Sequence, residues 1–186
     1  MVIFTKNMNM SEKLNSFLDV IFRRKSVRSY TGAIISKNDM EILLKAGMAA
    51  PSGRNEQPWA FIAVTNPSIL EKLSEGLPYA RMLTKAGAGI VVCGYSVPPS
   101  RPGSKDLWEQ DCAAATENIL LAAEAMGLGA VWTAVHPYPE RQAYIRQVLN
   151  IPAEIFPFCV IPVGYPTGEE IPKNKFDQVK IHWNSW

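Results

Sequence analysis

Arg23, Arg24, Lys25 and Arg28 crowd around Ser26, and a second polar stretch, Pro51-Ser52-Gly53-Arg54-Asn55-Glu56-Gln57, follows after one helix-length segment. Fixed positive charge and a hydroxyl donor, converging where the chain leaves an apolar-periodic segment, suit a phosphate, because ionised donors make shorter and stronger hydrogen bonds than neutral ones. The second stretch offers a hydroxyl, bare backbone, a guanidinium and two amides before Pro58-Trp59 stiffens it. Asn55 and Gln57 can each donate and accept, so such a loop can lie along a polar heterocycle. Taken alone, each stretch has an ordinary explanation. Cations at a helix C-terminus are favoured by its exposed carbonyls, and Pro-Ser-Gly is a common helix-to-strand turn.

The elements that must position these groups are legible in the apolar periodicity. Leu14, Phe17, Leu18 and Ile21 fall on one helix face, widened by Phe22, with Ser11 available as N-cap. Ser36 with Asp39 forms a capping box for a second helix, stapled by Ile35 and Met40. Pro51 disfavours helical geometry at Ala50, so that helix ends near Met48 or Ala49 and delivers the polar loop at a defined point. Ala60 to Val64 reads as a strand. Asn66-Pro67 opens a helix bearing Ile69, Leu70, Leu73 and Leu77, with a short helix expected over 79–85. Ala88 to Tyr95 is an apolar, β-branched run of the kind buried on both faces of a sheet.

Residues 96–108 hold prolines and serines and read as a loop, a candidate lid. Asp106 with Glu109 should then cap a long helix whose stretch from Cys112 to Met126 is almost uncharged and therefore buried. Gly127 ends it. Ala130 to Val135 forms a strand, Pro139 begins a helix carrying Tyr144, Ile145, Val148 and Leu149, and Phe158 to Val163 supplies a further strand. The elements do not alternate strictly, which favours an α+β fold over a doubly wound sheet: a mostly antiparallel sheet of four or five strands with helices on both sides.

The 186 residues, 47% apolar and 19% charged, suffice for one domain with a sizeable core. A net charge of +2, with cations gathered at short sites, does not suit a nucleic-acid binder. The cysteines, Cys93, Cys112 and Cys159, are odd in number and widely separated, so they read as small core residues. The sequence shows no export signal and no apolar run of bilayer-spanning length, and a soluble cytoplasmic protein is the expectation. Gly127-x-Gly129 has Trp132 where a dinucleotide fingerprint needs its third glycine, and it follows a helix and precedes a strand, the reverse of the required order. The motifs of phosphate-loop, zincin and serine-hydrolase chemistry do not occur. His136 and His182 are isolated.

The pattern R-R-x-S-V-R-x-Y over Arg23 to Tyr30, a helix, then A-P-S-G-x-N-x-Q-P-W over Ala50 to Trp59, resembles the nitroreductase family of FMN-dependent oxidoreductases. The similarity continues more weakly at Gly127 to Trp132 and at Val163-Gly164-Tyr165-Pro166 with its lysine-rich sequel. The resemblance implies an intertwined homodimer in which the 165–186 extension embraces the partner subunit. It implies that Arg24, Lys25, Ser26 and Arg28 hold the FMN phosphate and ribityl, helped by Lys173 and Lys175. Lys175 stands where an arginine is often found, so a bidentate clamp becomes a point charge. Pro51, Ser52, Gly53, Asn55 and Gln57 match the loop that meets the ring of the FMN bound mainly by the other subunit. Trp132, Thr133, Ala134 and Val135 fall where backbone runs past the ring, a buried strand end being the other reading.

The implied activity is ping-pong transfer from NADH or NADPH to a nitroaromatic, quinone or related small acceptor, with the flavin carrying the chemistry and no catalytic side chain. A non-catalytic FMN-binding protein is the alternative, as is specialised flavin chemistry such as reductive dehalogenation or flavin cleavage. Trp108, at the end of the candidate lid, is either an acceptor-contacting aromatic or a first-turn core residue.

Overall fold

The computed structural model describes residues 10–96 and 106–186, with side chains from Ser16 onward. Its centre is a five-stranded sheet built from β1 (Trp59–Val64), β2 (Ala88–Tyr95), β3 (Gly129–Ala130), β4 (Thr133–Ala134) and β5 (Ile155–Gly164). The order is β1-β2-β5-β3, β4 lies beside β5 as well, and all these pairings are antiparallel. The sheet is that of an α+β protein, as expected. The expected strand over Ala130–Val135 is corrected to two short pieces, β3 and β4, in one register against β5. In that register Val131 faces Pro162, which has no N–H to give, so the ladder is interrupted there. The Pro162 carbonyl instead accepts from the Tyr30 hydroxyl at 3.2 Å.

Helices cover both faces. On one, α2 (Lys37–Met48) and α4 (Trp108–Ala125) pack over Leu43, Ile90, Ile119 and Ile161. On the other, α3 (Pro67–Glu75) and α5 (Pro139–Leu149) enclose Leu73, Val91, Ile145 and Val160. The capping expectations hold for α2, where Ser36 Oγ accepts from the Asp39 N–H at 3.0 Å, and for α3, where Asn66 Oδ1 accepts from the Ser68 N–H at 2.9 Å. The short helix expected over 79–85 is a 3₁₀ turn, Arg81–Thr84. At α4 the expected cap is displaced: Leu107 occupies the N-cap position, and Asp106 Oδ1 accepts from the Trp108 N–H, at 3.2 Å. Most of the candidate lid, residues 97–105, lies outside the described residues.

Cys93, Cys112 and Cys159 are fully buried, as core cysteines should be. Burial pushes the thiols of Cys93 and Cys159 up to about 12, and that of Cys112 higher still, so none offers a thiolate near neutral pH. No described helix is long and apolar enough to cross a membrane.

The helix α1 (Met10–Arg23) behaves differently from its pattern. Its apolar stripe is not covered in the single chain: Phe17 is 62% exposed and Phe22 69% exposed. Ile171, Phe176, Val179, Trp183 and Trp186 of the C-terminal segment are exposed as well. Apolar surface on this scale on a helix and an irregular tail is the signature of an interaction surface.

Candidate functional site

After α1 the chain straightens. Ser26 forms a parallel bridge with Ala130, and the Val27 N–H donates to the Ala130 carbonyl at 3.0 Å, so residues 24–28 lie along the edge carrying β3. Side chains alternate on such a segment. Val27 turns inward and is buried, whereas Arg24, Ser26 and Arg28 line an open cleft. Gly129 makes the close approach of this segment to β3 feasible, since a Cβ there would stand 2.5 Å from Val27 Cγ1. Its neighbour Gly127 has φ +72°, the left-handed geometry that closes α4. Both glycines of the Gly-x-Gly pair thus have backbone roles unrelated to a dinucleotide. Gly129→Ala should destabilise the protein by about 1–3 kcal/mol through overpacking and displace residues 24–28. Thermal melting checks the first effect and ligand affinity the second.

Arg24, Lys25, Ser26, Arg28, Lys173 and Lys175 come together in one cleft of about 420 Å³. This is the grouping expected from sequence, with a correction in charge. Lys25 Nζ is 3.2 Å from Glu124, whose side chain is only 10% exposed, and Arg24 Nε is 3.3 Å from Glu117. Both expected phosphate ligands therefore already face a carboxylate. Among the described residues Arg28, Lys173 and Lys175 form no ion pair, which leaves them as the charges open to an anion. Glu170 also lines the cleft, its Oε1 accepting from the backbone N–H groups of Arg28 (2.6 Å) and Ser29 (2.9 Å). Desolvation opposes its ionisation, but hydrogen bonds from the Arg28 and Ser29 backbone, with smaller ones from its own N–H and the Ser29 hydroxyl, together hold the carboxyl below the usual range.

Arg28 also lines two further clefts. One, of about 340 Å³, is bounded by Trp132, Thr133 and Ala134, and the other, of about 1070 Å³, by Tyr79 and Arg81. Pro78, Tyr79 and Met82 are common to both. Three of the four expected β4 residues are thus at a cleft. The fourth, Val135, is fully buried in the core beside Ile145 and Val160, so its side chain takes the other reading, a buried strand end. Tyr79 and Arg81 were not anticipated. Tyr79 has φ +69° and is 86% exposed, a strained backbone presenting a free ring at the mouth of the cleft. A positive φ at tyrosine leaves no mark in a sequence.

The loop of Pro51 to Gln57 lines none of the three clefts that Arg28 shares. It is nevertheless built to hold one shape. Arg54, Asn55 and Gln57 all have positive φ, near 55°, 57° and 51°. Ser52 Oγ accepts from the Gln57 N–H at 3.0 Å, and Arg54 Nε lies 2.7 Å from Glu56. Asp111, in the first turn of α4, fixes the loop from below: its Oδ1 accepts from the Gly53 N–H at 2.9 Å. Asp111 is buried, and among the described residues its Oδ2 has no hydrogen-bond partner. Gly53 sits so close to Leu107 that a Cβ would stand 2.7 Å from Leu107 Cδ1. Asn55 and Gln57 are left exposed to solvent.

Trp108 packs among aromatics, stacked on Phe156 at 5.5 Å and edge-on to His136 at 5.1 Å and to Phe158 at 6.0 Å. A Cβ at Gly94 would collide with its ring, at 2.2 Å from Cε3. These are the contacts of a first-turn packing residue, and Trp108 lines none of the three clefts of Arg28.

This arrangement joins a cationic cleft to a partly aromatic one through a single arginine, Arg28. The Nitroreductase family model matches residues 21–165, and the chain belongs to that family. A protein of Archaeoglobus fulgidus provisionally named NADH dehydrogenase/NAD(P)H nitroreductase is 44% identical over 172 residues, covering 91% of this chain and 98% of that protein. The crystal structure of a protein with the same provisional name from Parabacteroides distasonis superposes with a TM-score of 0.86 at 50% identity, covering 92% of this chain and 99% of that one. The FMN-dependent nitroreductase of Clostridium difficile R20291 gives a TM-score of 0.82 at 28% identity, covering 91% of this chain and 99% of that one. The chain is therefore an oxidoreductase of the nitroreductase type.

Proposed function

We propose that this oxidoreductase binds FMN, takes electrons from NADH or NADPH, and passes them to a nitroaromatic, a quinone or a related small acceptor that occupies the same place in turn. The observation that carries the reading is the position of Arg28, at the junction of the cationic cleft with two clefts large enough for a planar ring. The phosphate end fits. Near neutral pH a phosphate monoester carries close to two negative charges, and of the cations lining the cleft Arg28, Lys173 and Lys175 have no carboxylate partner among the described residues. Trp132 and Tyr79 supply exposed rings at the other end, and the chain segment of Thr133 and Ala134 borders it.

FMN, when bound, supplies the acceptance of hydride and the release of electrons. The chain's own part is to neutralise the phosphate, to fix the ring and to hold a substrate against it. The electron transfer itself calls on no protein acid or base, because the flavin carries it. One site serving donor and acceptor in turn requires parallel lines in two-substrate steady-state plots. Intersecting lines would show both substrates bound together and overturn it.

The reading extends to a homodimer in which Ser52, Gly53, Asn55 and Gln57 reach the FMN held mainly by the second copy. Two observations support it: the rigid loop lies away from its own chain's cationic cleft, and α1 and the C-terminal segment expose Phe17, Phe22, Phe176 and Trp183. Light scattering should give twice the chain mass of 20.6 kDa, and a monomer would remove the shared site.

Acceptor choice by the 96–108 segment belongs to the same proposal, and Trp108 is the residue that tests it. From its packing, Trp108→Ala should cost about 3–5 kcal/mol of stability, as large-to-small core changes do. A shift in the relative kcat/KM for quinones and nitroaromatics at unchanged melting temperature would instead place its ring at the acceptor.

A further inference from the structure

The C-terminal segment leaves β5 and runs beside residues 29–31. The Thr31 N–H donates to the Tyr165 carbonyl at 3.0 Å, Tyr30 bridges Pro166, and the Thr167 N–H donates to the Ser29 carbonyl at 3.2 Å. There the pairing stops, at Gly168 with φ +89°. The next backbone donors along the edge, the N–H groups of Arg28 and Ser29, are taken by a side chain, Glu170 Oε1, at 2.6 and 2.9 Å. Oε2 of the same carboxylate is buried and has no hydrogen-bond partner among the described residues. Between Glu170 and Lys175 no backbone hydrogen bond among the described residues ties the segment to another element. Glu170 is thus the last fixed point before the two lysines of the cationic cleft.

We propose that Glu170 is a positioning residue of the cofactor site: by clasping the Arg28 and Ser29 backbone it holds Lys173 and Lys175 over the phosphate position, and it rests on the FMN reading above. A carboxylate lining an anion site would by itself oppose the anion. Here its charge faces two N–H donors, which no further strand residue satisfies, and it sets the lysines on the same cleft as Arg28. Its role is in phosphate recognition, so it acts on FMN and not on riboflavin, which has the same ring and no phosphate.

The test is equilibrium ultrafiltration of the purified holoprotein with added FMN or riboflavin, comparing wild type with Glu170→Ala and Glu170→Gln. Glu170→Ala should raise the Kd for FMN about tenfold, the loss of a hydrogen-bonded charged group, and leave that for riboflavin within about twofold. Glu170→Gln, whose amide oxygen can still accept from both N–H groups, should recover most of the loss. In a Lys173→Ala/Lys175→Ala background, Glu170→Ala should add almost nothing, because a residue that acts through the lysines is silent without them. Unchanged or tighter FMN binding in Glu170→Ala, or equal loss of both flavins, overturns the positioning role. A wild-type protein that holds both flavins equally, or neither, overturns the placement of the FMN phosphate instead.

Discussion

Arg28→Ala is expected to weaken FMN binding roughly ten- to a hundredfold, as removal of a charged hydrogen-bonding partner costs about 1.5–3 kcal/mol. The size of the effect follows from position. Arg24 and Lys25 face Glu117 and Glu124, whereas Arg28 forms no ion pair among the described residues and lines three clefts. Its side chain is exposed, so the substitution should hardly change the melting temperature. Lys25→Ala should do the reverse: FMN affinity falls less, and stability falls because Glu124 is left nearly buried without its closest partner. Flavin titration beside thermal melting of the two variants measures both halves, and equal loss of FMN in each would show that the present pairing of Lys25 does not persist with ligand.

Asp111→Ala carries the second large effect. Loss of the acceptor for the Gly53 N–H, a partly buried bond of 2.9 Å, should cost about 1–3 kcal/mol of stability. More is expected in function, because three non-glycine residues of the loop sit at positive φ, each at a cost of order 1–3 kcal/mol, and such a loop keeps its shape only when its surroundings over-determine it. With the loop released from α4, the proposed contact of Asn55 and Gln57 with the flavin ring should be lost, and FMN and riboflavin should both bind at least about tenfold more weakly. The loss is shared by the two flavins, unlike that of Glu170→Ala, so one pair of titrations separates the ring end of the site from the phosphate end. Asp111→Ala with both affinities intact would mean that the loop does not touch the flavin.

The grouping of Arg24, Ser26 and Arg28 was legible in the sequence because an extended segment after a helix puts alternate residues on one side, and motif and geometry coincide. Lys173 and Lys175 were legible only through resemblance, since nothing local says that a tail returns to residues 28–31. The carboxylates were not legible at all. Glu117, Glu124, Asp111 and Glu170 carry no local signal, and each has its partner at least 58 positions away. The first two strands were read to within one residue, the last begins at Ile155 and not at the expected Phe158, and β3 and β4 are separated opposite Pro162, a proline whose effect falls on a neighbouring strand. The α1 stripe was read correctly as apolar and helical. Periodicity reports that a face is to be covered and does not say by what, and in the single chain Phe17 and Phe22 remain open.

The most direct measurement mixes the purified, FMN-loaded protein with NADH or NADPH in the absence of oxygen and follows the flavin absorbance. Bleaching of the bound flavin, with recovery of colour when a quinone or nitroaromatic is added, is the result expected of an oxidoreductase that uses one site for donor and acceptor. Colour that persists through excess NADH and NADPH alike would contradict it and leave a protein that binds FMN without turning it over.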